Sequence, residues 1–111
     1  MQDVFPNELS LWQQRTALLL DVRELEEFEG AHIPGSRNLP LERLLDHLAT
    51  LKSPIVTICA TGSRAGLAAE VLEYEGFEVG KLVGGIQGYA ALGYPLCRAP
   101  KAFRPEEAPC S

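Results

Sequence analysis

Apolar residues along the chain fall into short continuous runs, separated by segments with helical spacing. Leu18-Leu19-Leu20-Asp21-Val22 is an apolar run broken by one charge, and Ile55-Val56-Thr57-Ile58 is β-branched throughout. Such runs suit strands buried on both faces of a parallel sheet. Ser36 to Leu39 and Val79 to Val83 read as further strands. Between them Leu41, Leu44, Leu45, Leu48 and Leu51 recur at i, i+3, i+4, i+7 and i+10. This spacing predicts an amphipathic α-helix, and it is the strongest periodic signal in the chain. A second helix is predicted from Arg64 to Tyr74, burying Leu67, Ala68, Val71 and Leu72 and stopping at Gly76. Shorter helices are predicted from Pro6 to about Gln14, from Glu24 to Phe28 and from Ile86 to Leu92, with Pro6 suited to a first turn. Strands alternating with helices predict an α/β fold: three layers, α/β/α, around a mainly parallel central sheet of about five strands. In such sheets ligands bind beyond the carboxyl ends of the strands. Asp21 and Cys59 sit at such ends.

Composition narrows the possibilities. A chain of 111 residues is the length of one domain, since domains cluster at about 100–150 residues. Leu, Ile, Val and Phe supply more than a quarter of it, above the level of about 20% below which chains tend to stay disordered. Residues 1–97 read as the folded body. Residues 98–111 carry three of the prolines and little periodicity, and they read as an extended tail lying on the body through Phe103. The net charge of −5 argues against a nucleic-acid or anionic-membrane binder, which needs a basic patch. No apolar run is long enough to span a membrane, and the first residues lack the charged and apolar regions of a signal peptide. The three cysteines, Cys59, Cys97 and Cys110, are an odd number and form no CxxC pair. They therefore do not read as a disulfide framework, and with only two histidines a metal site is not expected. Cytoplasm and a monomer are the expectation.

Cys59-Ala60-Thr61-Gly62-Ser63-Arg64 joins a predicted buried strand to a predicted helix. Small side chains let backbone N–H groups converge on one point, and Gly62 allows a positive φ. The helix behind adds its positive dipole end and unpaired donors. Arg64 adds a permanent, forked cation. A thiol placed there is expected to have a lowered pKa and to react as thiolate. A buried strand-end cysteine that only packs is the alternative. A cysteine phosphatase or arsenate-type reductase would use a similar cradle. Here, however, only four residues separate Cys59 from Arg64, Ile58 rather than His precedes the cysteine, and no general acid can be placed for a leaving alcohol. The tighter ring favours a persulfide on the cysteine itself. Sulfur transfer needs no metal or organic cofactor.

Three ordered motifs resemble the rhodanese family of sulfurtransferases, across about residues 6 to 96. Leu19-Leu20-Asp21-Val22-Arg23-Glu24, Glu27-Phe28 and His32-Ile33-Pro34-Gly35-Ser36 are similar to its first signature. Cys59 to Arg64 is similar to its CxxGxR active loop. Gly76-Phe77, Leu82-Val83-Gly84-Gly85-Ile86 and Gly93-Tyr94-Pro95 are similar to its closing segment. The resemblance implies a single-domain rhodanese fold in which Cys59 carries sulfur from a small donor anion, such as thiosulfate, to cyanide, a thiol or a partner protein. It also implies that the six-residue loop goes with sulfur transfer, whereas related dual-specificity phosphatases of this fold have seven. Two features depart from the family pattern: Tyr89 stands where many members have Trp, and Arg64 is the only charge in the loop. A non-catalytic interaction module is a further reading of such a domain, although those often lack the cysteine.

The remaining polar residues are assigned by position. Ala60, Thr61, Gly62, Ser63 and Arg64 are expected to stabilise the persulfide; Asp21 with Arg23 reads either as an ordinary ion pair that holds the turn or as a brace behind the loop. Arg23 has two candidate partners, Asp21 and Glu27. His32 is expected to hold structure by hydrogen bonding and His47 to be a solvated surface residue. Glu24, Glu26, Glu27 and Glu29 read as a solvated helix face. Cys97 reads as a partly buried packing cysteine and Cys110 as a tail cysteine without a role.

Overall fold

The computed structural model describes residues 1–98. The predicted tail therefore lies, apart from Arg98, outside the described residues, as does Cys110. Five strands form one sheet: β1 (Gln2–Val4), β2 (Leu18–Asp21), β3 (Arg37–Asn38), β4 (Ile55–Ile58) and β5 (Val79–Leu82). Their spatial order is β1-β5-β4-β2-β3 and every pairing is parallel. The helices are α1 (Leu9–Gln14), α2 (Leu25–Gly30), α3 (Ser63–Tyr74) and α4 (Gly85–Ala91), with 3₁₀ turns at Pro6–Glu8 and Leu41–Thr50. The expected three-layer α/β/α fold with five strands is what the chain forms.

Alternation along the strands builds the two halves of the core. Leu20, Ile55 and Val79 face one side, with Ala65, Ala68, Ala69 and Leu72 of α3 and with Leu44 and Leu51. Leu19, Val56, Ile58 and Leu82 face the other, with Leu9 and Trp12 of α1 and Ile86 and Tyr89 of α4. Thr57, buried in the central strand, donates to the carbonyl of Ala65 at 2.9 Å. This polar tie sets the depth at which α3 sits on the sheet.

Three elements differ from the sequence reading. Strand β1 was not anticipated; only Val4 of its three residues is buried. The leucine repeat from 41 to 51 forms successive 3₁₀ turns instead of an α-helix, with Leu44 and Leu51 buried and Leu45 at 64% exposure. Leu41 and Leu48 pack partly buried against the same cluster, and Leu45 is the leucine left out of it. On α3 the buried face is made mainly of alanines, and Leu67 is 52% exposed. Ala68 and Ala69 allow the helix to lie close to the sheet, which turns Leu67 outward. No helix among the described residues is long and apolar enough to cross a membrane.

Candidate active site

Cys59 directly follows β4, at the carboxyl edge of the sheet, and the loop after it leads into α3. Gly62 caps that helix with φ +117°, a conformation open to glycine and strained for other residues. The turn brings the Gly62 N–H to 2.9 Å from Cys59 Sγ, where it donates. The carbonyls on the opposite side of the loop are also committed. Ile86 N–H donates to Cys59 O at 2.8 Å and Gln87 N–H to Ala60 O at 3.0 Å. A trans peptide carries its N–H opposite to its C=O. With the carbonyls of Cys59 and Ala60 aimed at α4, the amides of Ala60 and Thr61 point away from α4. Gly85 makes the approach feasible: its φ is +61°, and an added Cβ would lie 2.5 Å from Ala60 O. Cys59 itself is 1% exposed. The sulfur is therefore buried in the core cluster that packs under α3, while Thr61 and Ser63 of the same loop are exposed.

Arg64 does not point freely at an incoming anion. Its Nη1 and Nη2 donate to the two carboxylate oxygens of Glu27, at 2.7 and 3.0 Å. Glu27 Oε1 also accepts from the Glu24 N–H at 3.2 Å. Hydrogen bonding by Arg64 holds the Glu27 carboxyl down to about 2, against the opposing effect of burial; the Glu24 amide and the charges of Arg64 and Arg23 add smaller contributions. The Arg64 cation is correspondingly favoured, first by Glu27, and in smaller measure by the charges of Cys59 and Asp21. Glu27 was read from the sequence as one acid of a solvated face. The structure makes it the clamp that fixes the far end of the loop.

Asp21 and Arg23 form a buried pair, 0% and 6% exposed. Arg23 donates from Nε at 3.0 Å and from Nη2 at 2.8 Å to the Asp21 carboxylate, and its backbone N–H donates there at 3.0 Å. Nη2 also reaches Ala31 O, at the end of α2, at 2.6 Å. Asn38 Nδ2 closes the turn on the carbonyls of Asp21 and Arg23. The pair's hydrogen bonds run to Ala31 and to the turn that Asn38 closes. They pin the end of α2, the helix that carries Glu27. Of the two partners considered for Arg23, Asp21 is the one it holds.

His32 is buried, stacks on Phe28 with centroids 4.0 Å apart, and places Nδ1 2.9 Å from Phe28 O. Its backbone pairs with Cys97 in both directions. His47 is only half-buried and its Nδ1 lies 3.0 Å from Arg43 O. Cys97 departs from the expectation of a plain packing thiol: it is buried and disulfide-bonded. Among the described residues the free thiol is Cys59. Tyr89, buried on α4, stacks on Tyr94 at 4.7 Å, and burial pushes its phenol up. No group of three or more His, Cys, Asp or Glu that could hold a metal occurs among the described residues.

Comparison with known proteins agrees with this architecture. A rhodanese-related protein of Thermoplasma volcanium has the same fold, with a TM-score of 0.79 and 30% identity over 86% of this chain and 97% of that one. The thiosulfate sulfurtransferase GlpE of Pseudomonas savastanoi pv. phaseolicola is 32% identical over 93 residues, 81% of this chain and 87% of its own length. The uncharacterized protein YqhL of Bacillus subtilis is 41% identical over 76 residues, 66% of this chain; the match spans only 60% of that relative's length. Residues 5–92 match the rhodanese-like domain, and with β4, the Cys59 loop and α3 arranged as described, the chain belongs to the rhodanese-like family.

Proposed function

We propose that this protein is a sulfurtransferase that carries a sulfane sulfur as a persulfide on Cys59. The observation that carries the reading is the Gly62 N–H held 2.9 Å from Sγ of the free cysteine, in a loop whose carbonyls are turned towards α4. A thiolate nucleophile and its persulfide product are both sulfur anions, so both gain from fixed N–H donors in a site that excludes water. The thiolate attacks the outer sulfur of the donor, a new S–S bond forms on Cys59, and the donor's remaining group leaves with the electron pair. An acceptor, whether cyanide, a thiol or a protein thiol, then attacks the outer sulfur and regenerates the thiolate. The sequence likeness to GlpE, a thiosulfate sulfurtransferase, supports the reaction class. Ala60, Thr61, Gly62 and Ser63 act through their backbone, Arg64 sets the end of the loop through Glu27, and Asp21 with Arg23 holds α2 in place.

The test is intact-mass measurement after incubation with a panel of sulfane-sulfur donors, followed by addition of cyanide. The expected result is a gain of one sulfur atom that cyanide removes and that Cys59→Ser abolishes. No gain from any donor, in protein whose Cys59 is shown by alkylation after unfolding to be a reduced thiol, would overturn the proposal.

A further inference from the structure

We propose that a cavity at the carboxyl edge of the sheet, apart from the cysteine loop, binds a small apolar zwitterion: an amino acid, or a short peptide with both ends free. Its volume is about 390 Å³, within the range of small-molecule sites, about 300–1,000 Å³. Its lining comes from the start of α2, from the end of β3 with the residues that follow it, and from the 3₁₀ turns of Leu41–Thr50. No residue from Cys59 to Arg64 lines it. The inference therefore goes beyond the sulfurtransferase reading and does not rest on it.

Charges of both signs line this cavity. Arg37 and Arg43 are the arginines, and Glu24, Glu26 and Glu42 the carboxylates. Elsewhere Arg15, Arg23 and Arg64 each hold a carboxylate directly, those of Glu78, Asp21 and Glu27. Among the described residues, no ion pair includes a charge that lines the cavity. Arg37 donates to the Thr50 hydroxyl at 3.3 Å, which leaves its charge uncompensated. Cations and carboxylates thus border one space without closing on each other. Buried Leu39, with Pro40 and the exposed Leu25, supplies the apolar part of the lining.

This combination selects among ligand classes. An anion would answer the arginines and face three carboxylates. A cation would answer the carboxylates and face two arginines. A metal ion has no site here, since no group of three or more His, Cys, Asp or Glu that could hold one occurs among the described residues. A neutral apolar molecule would strip water from the charges and give them no partner. A zwitterion gives both kinds a partner. Its carboxylate accepts from the forked guanidinium of Arg43, its ammonium donates to Glu26, and its side chain covers Leu25, Leu39 and Pro40.

The test is isothermal titration calorimetry on the full-length protein, with leucine and leucyl-leucine as probes. Two analogues with a single charge are the controls: N-acetyl-leucine lacks the ammonium and leucinamide lacks the carboxylate. Saturable binding with Kd at or below about 1 mM is expected for at least one probe. The tighter of the two tells whether a free amino acid or a peptide is the natural occupant. Each control should bind at least about tenfold more weakly, the loss of one hydrogen-bonded charge. Arg43→Gln and Glu26→Gln alter exposed side chains and should each weaken the better probe by about tenfold. Lys52→Gln makes the same change of charge at an exposed position outside the cavity and should leave binding unchanged. Three results would each overturn the proposal: no saturable binding of either probe up to about 10 mM, a single-charge control that binds as tightly as its parent, or binding that survives both Arg43→Gln and Glu26→Gln. None of these results bears on sulfur loading of Cys59.

Discussion

Gly85 is the point at which the cysteine loop is fastened to the rest of the fold, and replacing it with alanine tests that fastening. Its φ of +61° is left-handed, and a Cβ would sit 2.5 Å from Ala60 O and 2.6 Å from Ala60 C. Those are backbone atoms and cannot swing aside as a flexible side chain would. Either the loop or α4 must move, and the N–H bonds of Ile86 and Gln87 to Cys59 O and Ala60 O are lost. The backbone conformation costs about 1–2 kcal/mol for a residue with a Cβ. Two hydrogen bonds contribute about 0.5–1.5 kcal/mol each. The smaller entropy of the unfolded alanine chain offsets about 0.4–1 kcal/mol. The net loss is about 1–4.6 kcal/mol, which a domain of ordinary stability, about 5–15 kcal/mol, survives. The protein's single tryptophan, Trp12, is buried against the sheet and reports urea unfolding, whose midpoint should fall by on the order of 1–2 M. Gly93→Ala is the control: φ is +89° but nothing lies within 4 Å of the added Cβ, so it carries the backbone cost alone. Sulfur loading of Cys59 should drop in Gly85→Ala and persist in Gly93→Ala. If the two variants match in midpoint and in loading, the loop does not depend on its contact with α4 and the account of the site is wrong.

Two further substitutions probe the ties behind the loop. Asp21→Asn strands the buried Arg23 guanidinium and should cost about 3–5 kcal/mol in urea unfolding, with most of the loss recovered when Arg23→Met is added; a loss under about 1 kcal/mol would show that the pair does not hold α2. Glu27 titrates at about 2 rather than at its ordinary 4.5. A depressed carboxyl stabilises the fold above its unfolded value and loses that contribution as pH falls through the folded one. The stability gap between the parent and Glu27→Gln should therefore be constant above pH ~5 and close between about pH 4.5 and 2. It will be small because the pair is more than a third exposed, and a gap that does not change with pH would refute the clamp.

What the sequence revealed was mostly local. The loop Cys59 to Arg64 could be read because its chemistry lies within six consecutive residues, and β4 because four β-branched or apolar residues in a row have few other uses. Pairings over long separation were hidden. Strand β1 has one buried residue and exists because it pairs with β5, nearly eighty positions along the chain. The partner of Arg64 is 37 residues away, and nothing local separates Glu27 from the other acids of α2. A faint signal was present: Glu24 and Glu27 have the spacing at which a side chain reaches back to the start of its own helix, and Arg64 was the one loop cation in need of a partner. The leucine repeat was read correctly as a half-buried segment and wrongly as an α-helix. Hydrophobic spacing reports which residues seek the core, and 3₁₀ turns satisfied four of the five leucines at the expense of Leu45.

These features share one physical logic. On the proposed function, a loop that presents N–H groups to a reacting sulfur has to dispose of its carbonyls and of charges that would compete for the same space. The carbonyls of Cys59 and Ala60 are absorbed by the N–H groups of α4. The Arg64 charge is absorbed by Glu27. The charge on Asp21, at the neighbouring strand end, is absorbed by Arg23. The removals use residues from two distant parts of the sequence: Arg23 and Glu27 between β2 and β3, and Ile86 and Gln87 after β5. The parallel sheet brings them together because all its strands end on the same edge. The side chains around Cys59 are thus electrically quiet and the backbone is polarised towards the sulfur.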